Sequence, residues 1–273
     1  MICELFGFID RYDGSHARYS PFARTLGDFI IVGRHSRTTM AIDIEATAKY
    51  PLASDDWIKT VGIGGVLTLF SFLLVPVLFV YGYLVRVLRA GMRDSPEPPT
   101  FDDWGSLLRE GVVAFVVIFV YQLIPLIVFA VTVGGSLAAV ATGSRTGASL
   151  GLVGLLGGVT VSSLLALVFG YFGLVGLANF AHEGTLGSAF DVAVIRDVAL
   201  SREYAIPWLY GVGFVFVAGV LTSVLNVVPI VGAIVGVFVI FYAQICAFKL
   251  WGMGFSAATD VGSTPGTGTT VTA

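Results

Sequence analysis

Two Asp-Asp-Trp tripeptides, at 55–57 and 102–104, are the first candidates for chemistry in this 273-residue sequence. Paired carboxylates can bind a divalent cation or act as general acid and base. Each pair also directly precedes an apolar run. There, acidic residues stabilise the positive end of a helix, and tryptophan prefers the membrane interface. We favour this helix-entry signal over a duplicated segment, and we disfavour a shared metal site because we expect the two pairs on opposite membrane faces.

A second group of polar side chains lies between the third and fourth apolar runs. Its candidate functional residues are His182, Glu183, Asp191 and Arg196. The His182-Glu183 pair does not extend to a His-Glu-x-x-His motif, and no second histidine follows at a zinc-ligand spacing. We favour an interfacial ion pair, and the alternative is a membrane-interface enzyme that uses the 182–203 loop.

Arg86, Arg89 and Arg93 follow the first apolar run at spacings of three and four, which place them along one face of a helix. Guanidinium groups at a membrane surface bind lipid phosphates, so these residues are candidate lipid headgroup contacts. The alternative is that they only orient the chain.

Few polar residues interrupt the apolar runs. Gln122, Asn226 and Gln244 are the candidates for intramembrane polar sites, either as hydrogen-bond links between helices or as parts of a solute pathway. Pro76 and Pro125 lie inside apolar runs and are expected to kink their helices, because proline cannot donate to the carbonyl four residues earlier.

The elements that must position these residues are transmembrane helices. Hydrophobic residues make up 56% of the chain and charged residues 12%, against about a quarter charged in soluble domains. We predict an all-α, polytopic transmembrane helical bundle of about five membrane-spanning helices, with short interfacial helices that include one near 187–200. The spans are predicted near 60–88, 108–135, 149–179, 206–226 and 229–252. Glycines spaced along 147–158 favour helix 149–179 as the most buried one.

Basic residues predict how the helices are threaded. If the first and third connectors are cytoplasmic, seven Lys and Arg residues lie inside and three lie outside. Because cytoplasmic loops carry the excess of basic residues, this predicts a multi-pass protein of the cell membrane with its amino terminus outside and its carboxyl terminus cytoplasmic.

The chain divides into three parts by composition. Residues 40–255 form the predicted integral membrane domain, and 256–273 read as a disordered tail. Residues 1–39 fall outside the membrane pattern, and we expect them to be a non-native or disordered extension, with translation beginning at Met40.

Several segments together resemble a known family. They are GYLVRVLRAGM from Gly82, FDDWGSLLREG from Phe101, LANFAHEGTLGSAFD from Leu177 and the apolar run that begins at Pro229. They are similar, over about residues 42 to 255, to the domain-of-unknown-function 4013 family of archaeal multi-pass membrane proteins. The resemblance implies a membrane location and no assigned activity.

These observations favour a non-enzymatic membrane scaffold, or a bundle that interacts with lipids and partners. A small-solute transporter or channel is the alternative. Expected partners are membrane lipids, other membrane proteins or further copies of the chain. No cofactor, metal or nucleic acid is expected.

Overall fold

The computed structural model describes residues 42–262, and all regular structure in that range is helical. Its helices are α1 (Ile44–Lys49), α2 (Trp57–Leu69), α3 (Leu74–Met92), α4 (Trp104–Ala141), α5 (Arg145–Glu183), α6 (Val192–Ala199), α7 (Arg202–Leu225) and α8 (Pro229–Gly262). Short 3-10 helices occupy Tyr50–Leu52 and Leu186–Phe190. The helices α3, α4, α5, α7 and α8 are long and apolar enough to cross a membrane. The predicted polytopic helical bundle is therefore confirmed.

Short polar side chains determine where several helices begin. The side chains of Asp103, Ser144, Asp191 and Ser201 each accept a hydrogen bond from a backbone N–H in the first turn that follows. Such a bond satisfies one of the free N–H groups at a helix start. Gly184 ends α5 with a φ of 78°, a left-handed conformation that glycine adopts without steric cost.

The predicted first helix, 60–88, is wrong, because the chain forms two helices there. The break lies between Leu69 and Leu74. Pro76 lies in the first turn of α3, where its missing N–H leaves no helical bond unmade. A continuous helix would instead bring its ring against the carbonyl of Phe72. Pro76 therefore belongs to the start of a new helix, whereas Pro125 lies inside α4 as expected.

The two helices α2 and α3 run in opposite directions. Before α2, the ring of Tyr50 lies 4.6 Å from the Lys249 ammonium of α8. Further along α2, Gly64 packs against Phe241, which lies in α8 eight residues before Lys249. After the break, α3 returns, and Gly91 in its last turn packs on the backbone of Lys249. The segments that precede α2 and follow α3 therefore lie at the same end of the bundle.

The remaining long helices also form antiparallel pairs. Gly158 of α5 packs on Thr132 of α4, and Gly236 of α8 packs on Thr222 of α7. The turns of these pairs are short, at 142–144 and 226–228. The described chain is thus three helical hairpins, α2–α3, α4–α5 and α7–α8, that open toward the same end. This end carries Arg86, Arg89, Arg93 and Lys249, and we call it the basic end.

The helix at the centre of the bundle is α3. In the most apolar 18-residue stretch of α3, 56% of the residues are buried, whereas the corresponding share in α5 is 11%. The expectation that helix 149–179 is the most buried one is therefore wrong. A Cβ on Gly82 would overlap the carbonyl of Leu107 in α4, and one on Gly91 would overlap the carbonyl of Lys249 in α8. These glycines let α3 contact two helices at backbone distance.

Other boundaries differ from the predicted ones. Helix α4 continues through the segment expected to be a connector, to Ala141, and its 38 residues measure about 57 Å at 1.5 Å per residue. The short helix expected at 187–200 is divided between Leu186–Phe190 and α6. Helix α8 extends to Gly262, beyond the predicted start of the tail at 256. Residues 1–39 and most of the predicted tail lie outside the described residues.

Candidate functional site at the basic end

Close contact between α3 and α4 positions the site. Gly82 and Gly111 each face a backbone carbonyl of the other helix, so the two helices meet with no side chain between them. Because α3 ends where α4 begins, this contact brings the arginines of α3 beside the first turns of α4. The side chains that meet there are Arg86, Arg89 and Glu110.

Arg86 binds the start of α4. Its Nη1 donates to the carbonyl and the carboxylate of Asp102, at 2.8 and 2.9 Å. Its Nη2 donates to the carbonyl of Asp103, at 3.3 Å, and to the hydroxyl of Ser106, at 2.9 Å. A planar guanidinium with several donors suits such a convergent set of acceptors. Arg86 therefore fixes the chain direction where α4 begins.

The doubled Asp-Asp-Trp motif has different contacts in its two copies. Asp103 caps α4 and Asp102 pairs with Arg86, whereas Asp56 makes no side-chain capping bond at the start of α2. Both copies precede helices that begin at the basic end, so the expected placement on opposite faces is wrong. Within residues 42–262, no group of three or more His, Cys, Asp or Glu side chains could hold a metal ion.

Arg89 joins three helices. Its Nε donates to the carbonyl of Ala181 in the last turn of α5, at 2.8 Å, and its Nη1 donates to Glu110 Oε1, at 2.7 Å. The other oxygen of Glu110 lies 3.8 Å from Arg86 Nε. All three charged side chains are largely buried, with exposed fractions of 16% for Arg86, 24% for Arg89 and 19% for Glu110. One carboxylate thus faces two guanidinium groups.

An open cavity of about 750 Å³ adjoins this cluster. Its lining includes Arg86, Arg89 and Arg93, together with Glu97 and Asp102 from the loop that follows α3. Arg93 donates from Nε to the carbonyl of Arg89, at 3.3 Å, and within residues 42–262 its terminal nitrogens make no hydrogen bond or ion pair. Arg93 is therefore the least engaged of the three arginines. We call this space the arginine cavity.

The loop that borders the arginine cavity is held at several points. Lys249 donates to the carbonyl of Ser95, at 2.6 Å, and to Asp94 Oδ1, at 3.2 Å. The hydroxyl of Tyr50 donates to the carbonyl of Glu97, at 3.1 Å. Burial, and then the charge of Asp94, raise the pKa of the Tyr50 phenol, so the hydroxyl keeps the proton that it donates.

Left-handed backbone marks both ends of this loop. Asp94 has a φ of 47° and Asp103 a φ of 46°. Aspartate tolerates this conformation better than most residues. Hydrogen bonds from three separate elements hold the loop in this conformation, and these elements are α3, α8 and the segment before α2.

The candidate loop residues of the sequence do not come together. His182 and Glu183 are exposed and 3.8 Å apart. Asp191 caps α6 through the N–H groups of Ala193 and Val194, and Arg196 is exposed on that helix. These positions account for the ends of α5 and α6 and do not form a cavity with catalytic groups.

The intramembrane polar residues are also separated. Gln122 lies on α4, where it lines a notch of about 250 Å³ with Ser162 and Ser163 of α5. Gln244 lies on α8 and does not line this notch. Asn226 follows α7 and donates to the carbonyl of Thr222, at 3.0 Å.

Sequence reasoning missed two residues of the site, Glu110 and Lys249. Both had a detectable signal, because Glu110 is the last charged residue before one apolar run and Lys249 is the first charged residue after another. A charge at such a place needs a partner of opposite sign, which is Arg89 for Glu110 and Asp94 for Lys249. Their pairing partners, however, depend on which helices are adjacent.

Comparisons with known proteins place the chain in a family. Residues 67–227 match the family described as "Protein of unknown function (DUF4013)", a narrower range than the expected 42 to 255. The match includes the three arginines, Glu110 and the α4–α5 hairpin. No curated protein and no solved structure matches the chain. Because the matched residues make up more than half of the sequence, the chain belongs to this family of unknown function.

Proposed function

We propose that this chain is a non-enzymatic integral membrane protein that binds the phosphate groups of anionic lipids in the arginine cavity and acts as a lipid- and partner-interacting scaffold. The observation that carries the proposal is the convergence of Arg86, Arg89 and Arg93 on one open cavity at the end of apolar helices. A lipid whose acyl chains lie along the bundle would present its headgroup at this level.

The cavity fits an anion through its free donors and not through its net charge. The guanidinium groups of Arg86, Arg89 and Arg93 are matched in number by the carboxylates of Glu97 and Asp102, which line the cavity, and of Glu110 beside them. Asp102 and Glu110 already engage Arg86 and Arg89, so these two arginines mainly hold the cavity wall. Arg93 has free donors and is the proposed primary contact. Guanidinium groups bind phosphate in a bidentate manner, which an ammonium cannot reproduce.

We further propose that the basic end is cytoplasmic. Of the ten Lys and Arg residues within 42–262, only Arg145 lies at a hairpin turn, and the other nine belong to segments at or near the basic end. The excess of basic residues on cytoplasmic loops supports this orientation. The carboxyl end of α8 is then cytoplasmic as expected. The region that was expected to cross the membrane once forms the α2–α3 hairpin instead. We therefore propose that the chain enters α1 on the cytoplasmic side and not on the expected outer side.

Lipid retention tests the binding site. Purified wild type, Arg93→Gln and Arg93→Lys would be incubated with equal anionic and zwitterionic lipid, and the bound lipid would be measured by native mass spectrometry. We expect Arg93→Gln to lose most of the preference for anionic lipid and Arg93→Lys to keep part of it. Arg145→Gln, at the far turn, is the matched control and should behave as wild type. Equal anionic preference in wild type and Arg93→Gln would overturn the proposal.

Cysteine accessibility tests the orientation. Single cysteines at Asp55, Glu97 and Ser144, in a cysteine-free background, would be labelled on intact cells with a membrane-impermeant maleimide. We expect labelling at Ser144→Cys alone. A single crossing before α4 predicts labelling at Asp55→Cys as well, so that result would contradict the three-hairpin threading.

A further inference from the structure

All four tryptophans of the chain lie near the basic end. Trp57 and Trp104 are the first residues of α2 and α4. Trp251 follows Lys249 in α8, and its indole donates to the carbonyl of Trp208 in α7, at 3.2 Å. Because amphipathic indoles prefer the membrane interface, the tryptophans mark one surface of the bilayer, from which all three hairpins start.

The hairpins reach different distances from this surface. Helix α2 has 13 residues and measures about 20 Å at 1.5 Å per residue, whereas α4, with 38 residues, measures about 57 Å. The apolar part of α3 is as short as α2, because only residues 74–85 precede Arg86, and they measure about 18 Å. The hydrocarbon core of a bilayer is about 30 Å thick, so both arms of the α2–α3 hairpin end about 10 Å short of its far side.

The turn between α2 and α3 is apolar. Residues 70–73 read FSFL, and the hydroxyl of Ser71 is already bonded to a carbonyl of α2, at 3.2 Å. Phe72 is 79% exposed within the chain. The turn between α4 and α5, at 142–144, instead contains threonine, glycine and serine and is followed by Arg145. The composition of the α2–α3 turn therefore suits hydrocarbon, whereas that of the α4–α5 turn suits water.

The backbone of the α2–α3 turn satisfies most of its own donors, as hydrocarbon requires. The N–H groups of Phe70, Ser71 and Leu73 each donate to a carbonyl three or four residues earlier. Pro76, in the first turn of α3, has no N–H and so removes one of the free donors at this helix start. Helix α3 begins without a side-chain cap, whereas α5, which starts at the polar turn, is capped by Ser144.

We propose that α2–α3 is a re-entrant hairpin, which enters the bilayer from the basic end, turns inside the hydrocarbon core and returns to the same surface without crossing. The partner of its exposed apolar turn is then the lipid tails. Apolar segments of about 10–14 residues are too short to cross as helices and are typical of re-entrant segments. The proposal depends neither on lipid binding in the arginine cavity nor on which surface is cytoplasmic.

The depth of a spin label tests the proposal. Phe72→Cys, in a cysteine-free background, would carry a nitroxide in liposomes. Electron paramagnetic resonance would measure its collisions with oxygen, which concentrates in hydrocarbon, and with a water-soluble nickel chelate. Val116→Cys, on an exposed position of α4, is the matched reference for depth. It lies 12 residues after Trp104, just as the end of α2 lies 12 residues after Trp57.

The aqueous reference is Thr146→Cys, an exposed position beside the polar turn. We expect the Phe72 label to behave as the Val116 label does, with frequent oxygen collisions and few nickel-chelate collisions. Leu73→Cys, which is also exposed, repeats the measurement if the first variant does not fold. Nickel-chelate collisions as frequent at the turn as at Thr146 would overturn the proposal, because the turn would then reach water by crossing or by local thinning of the bilayer.

A charge at the turn provides a second measurement that needs no label. Phe72→Arg would place a guanidinium in hydrocarbon, which is costly, so we expect it to lower the yield of folded protein in the membrane fraction. Thr146→Arg is the matched control and should give the yield of wild type. Equal yields from the two arginine variants would contradict a turn inside the bilayer.

Discussion

Lys249 is the position where one substitution best tests the packing at the basic end. The Lys249→Met variant keeps an unbranched apolar side chain of similar length but removes the ammonium. Lys249 is only 7% exposed. Its ammonium donates to the carbonyl of Ser95 and the carboxylate of Asp94, and it lies over the ring of Tyr50. The substitution therefore deletes three interactions and leaves the apolar contacts of α8 in place.

The expected loss follows from the three interactions. A hydrogen bond from a charged donor to the Ser95 carbonyl contributes about 1.5–3 kcal/mol. The Asp94 side chain is 81% exposed, so its ion pair is screened and adds less than about 1 kcal/mol. The contact with the Tyr50 ring adds about 0.5–1 kcal/mol. Because burying an ammonium offsets part of these gains, we expect Lys249→Met to lower the free energy of unfolding by about 2 kcal/mol.

The assay is reversible unfolding in mixed micelles, with SDS titrated against a constant amount of mild detergent and helicity followed by circular dichroism. Lys49→Met is the matched control, since Lys49 pairs with Glu45 on the exposed face of α1 and is 69% exposed. Its loss should cost less than about 0.5 kcal/mol. If Lys249→Met and Lys49→Met have the same effect, the reasoning about a buried anchor is refuted.

The same titration checks two further predictions. Gly82→Val should destabilise the protein by about 2 kcal/mol or more, because its Cβ would overlap a carbonyl of α4. Gly62→Ala should be neutral or stabilising by up to about 1 kcal/mol, because no packing neighbour among the described residues lies within 4 Å of a Cβ added there. Equal losses in both variants would contradict the contact between α3 and α4. Asp103→Ala should lower the free energy of unfolding by about 1–2 kcal/mol, because it removes the cap of α4 at a residue with left-handed backbone. Asp56→Ala removes no capping bond and should change the free energy of unfolding by less than about 0.5 kcal/mol. A loss at Asp56 as large as that at Asp103 would refute the distinction.

The sequence predicted four of the five long helices, because length and apolar content are local properties that suffice for a helix in lipid. The predicted first helix failed for a local reason that hydropathy does not detect. Residues 60–85 contain no Asp, Glu, Lys, Arg or His, so the apolar run continues through the break at 70–73. Pro76 was the visible signal, and its placement in a first turn instead of a helix interior could not be distinguished from the sequence.

The site was partly predictable for the same reason. Spacing along one helix identified Arg86, Arg89 and Arg93 as a group. It could not show that Arg86 and Arg89 bind Glu110 and the start of α4, while the terminal nitrogens of Arg93 have no partner among residues 42–262. Those contacts join different helices, and no local pattern records which helices are adjacent.

The amino-acid sequence by itself determined that the helices are apolar enough for a membrane, that the fold is helical and that basic residues are in excess in some connectors. Each of these properties depends only on composition and on order along the chain. Only the tertiary structure decided that α2 and α3 reverse direction, that three hairpins open toward one end and that α3 is central. Helix direction and adjacency arise from contacts such as Gly91 with Lys249, between residues far apart in sequence. A hydropathy profile has the same value whichever way a helix runs, and so the threading required the fold.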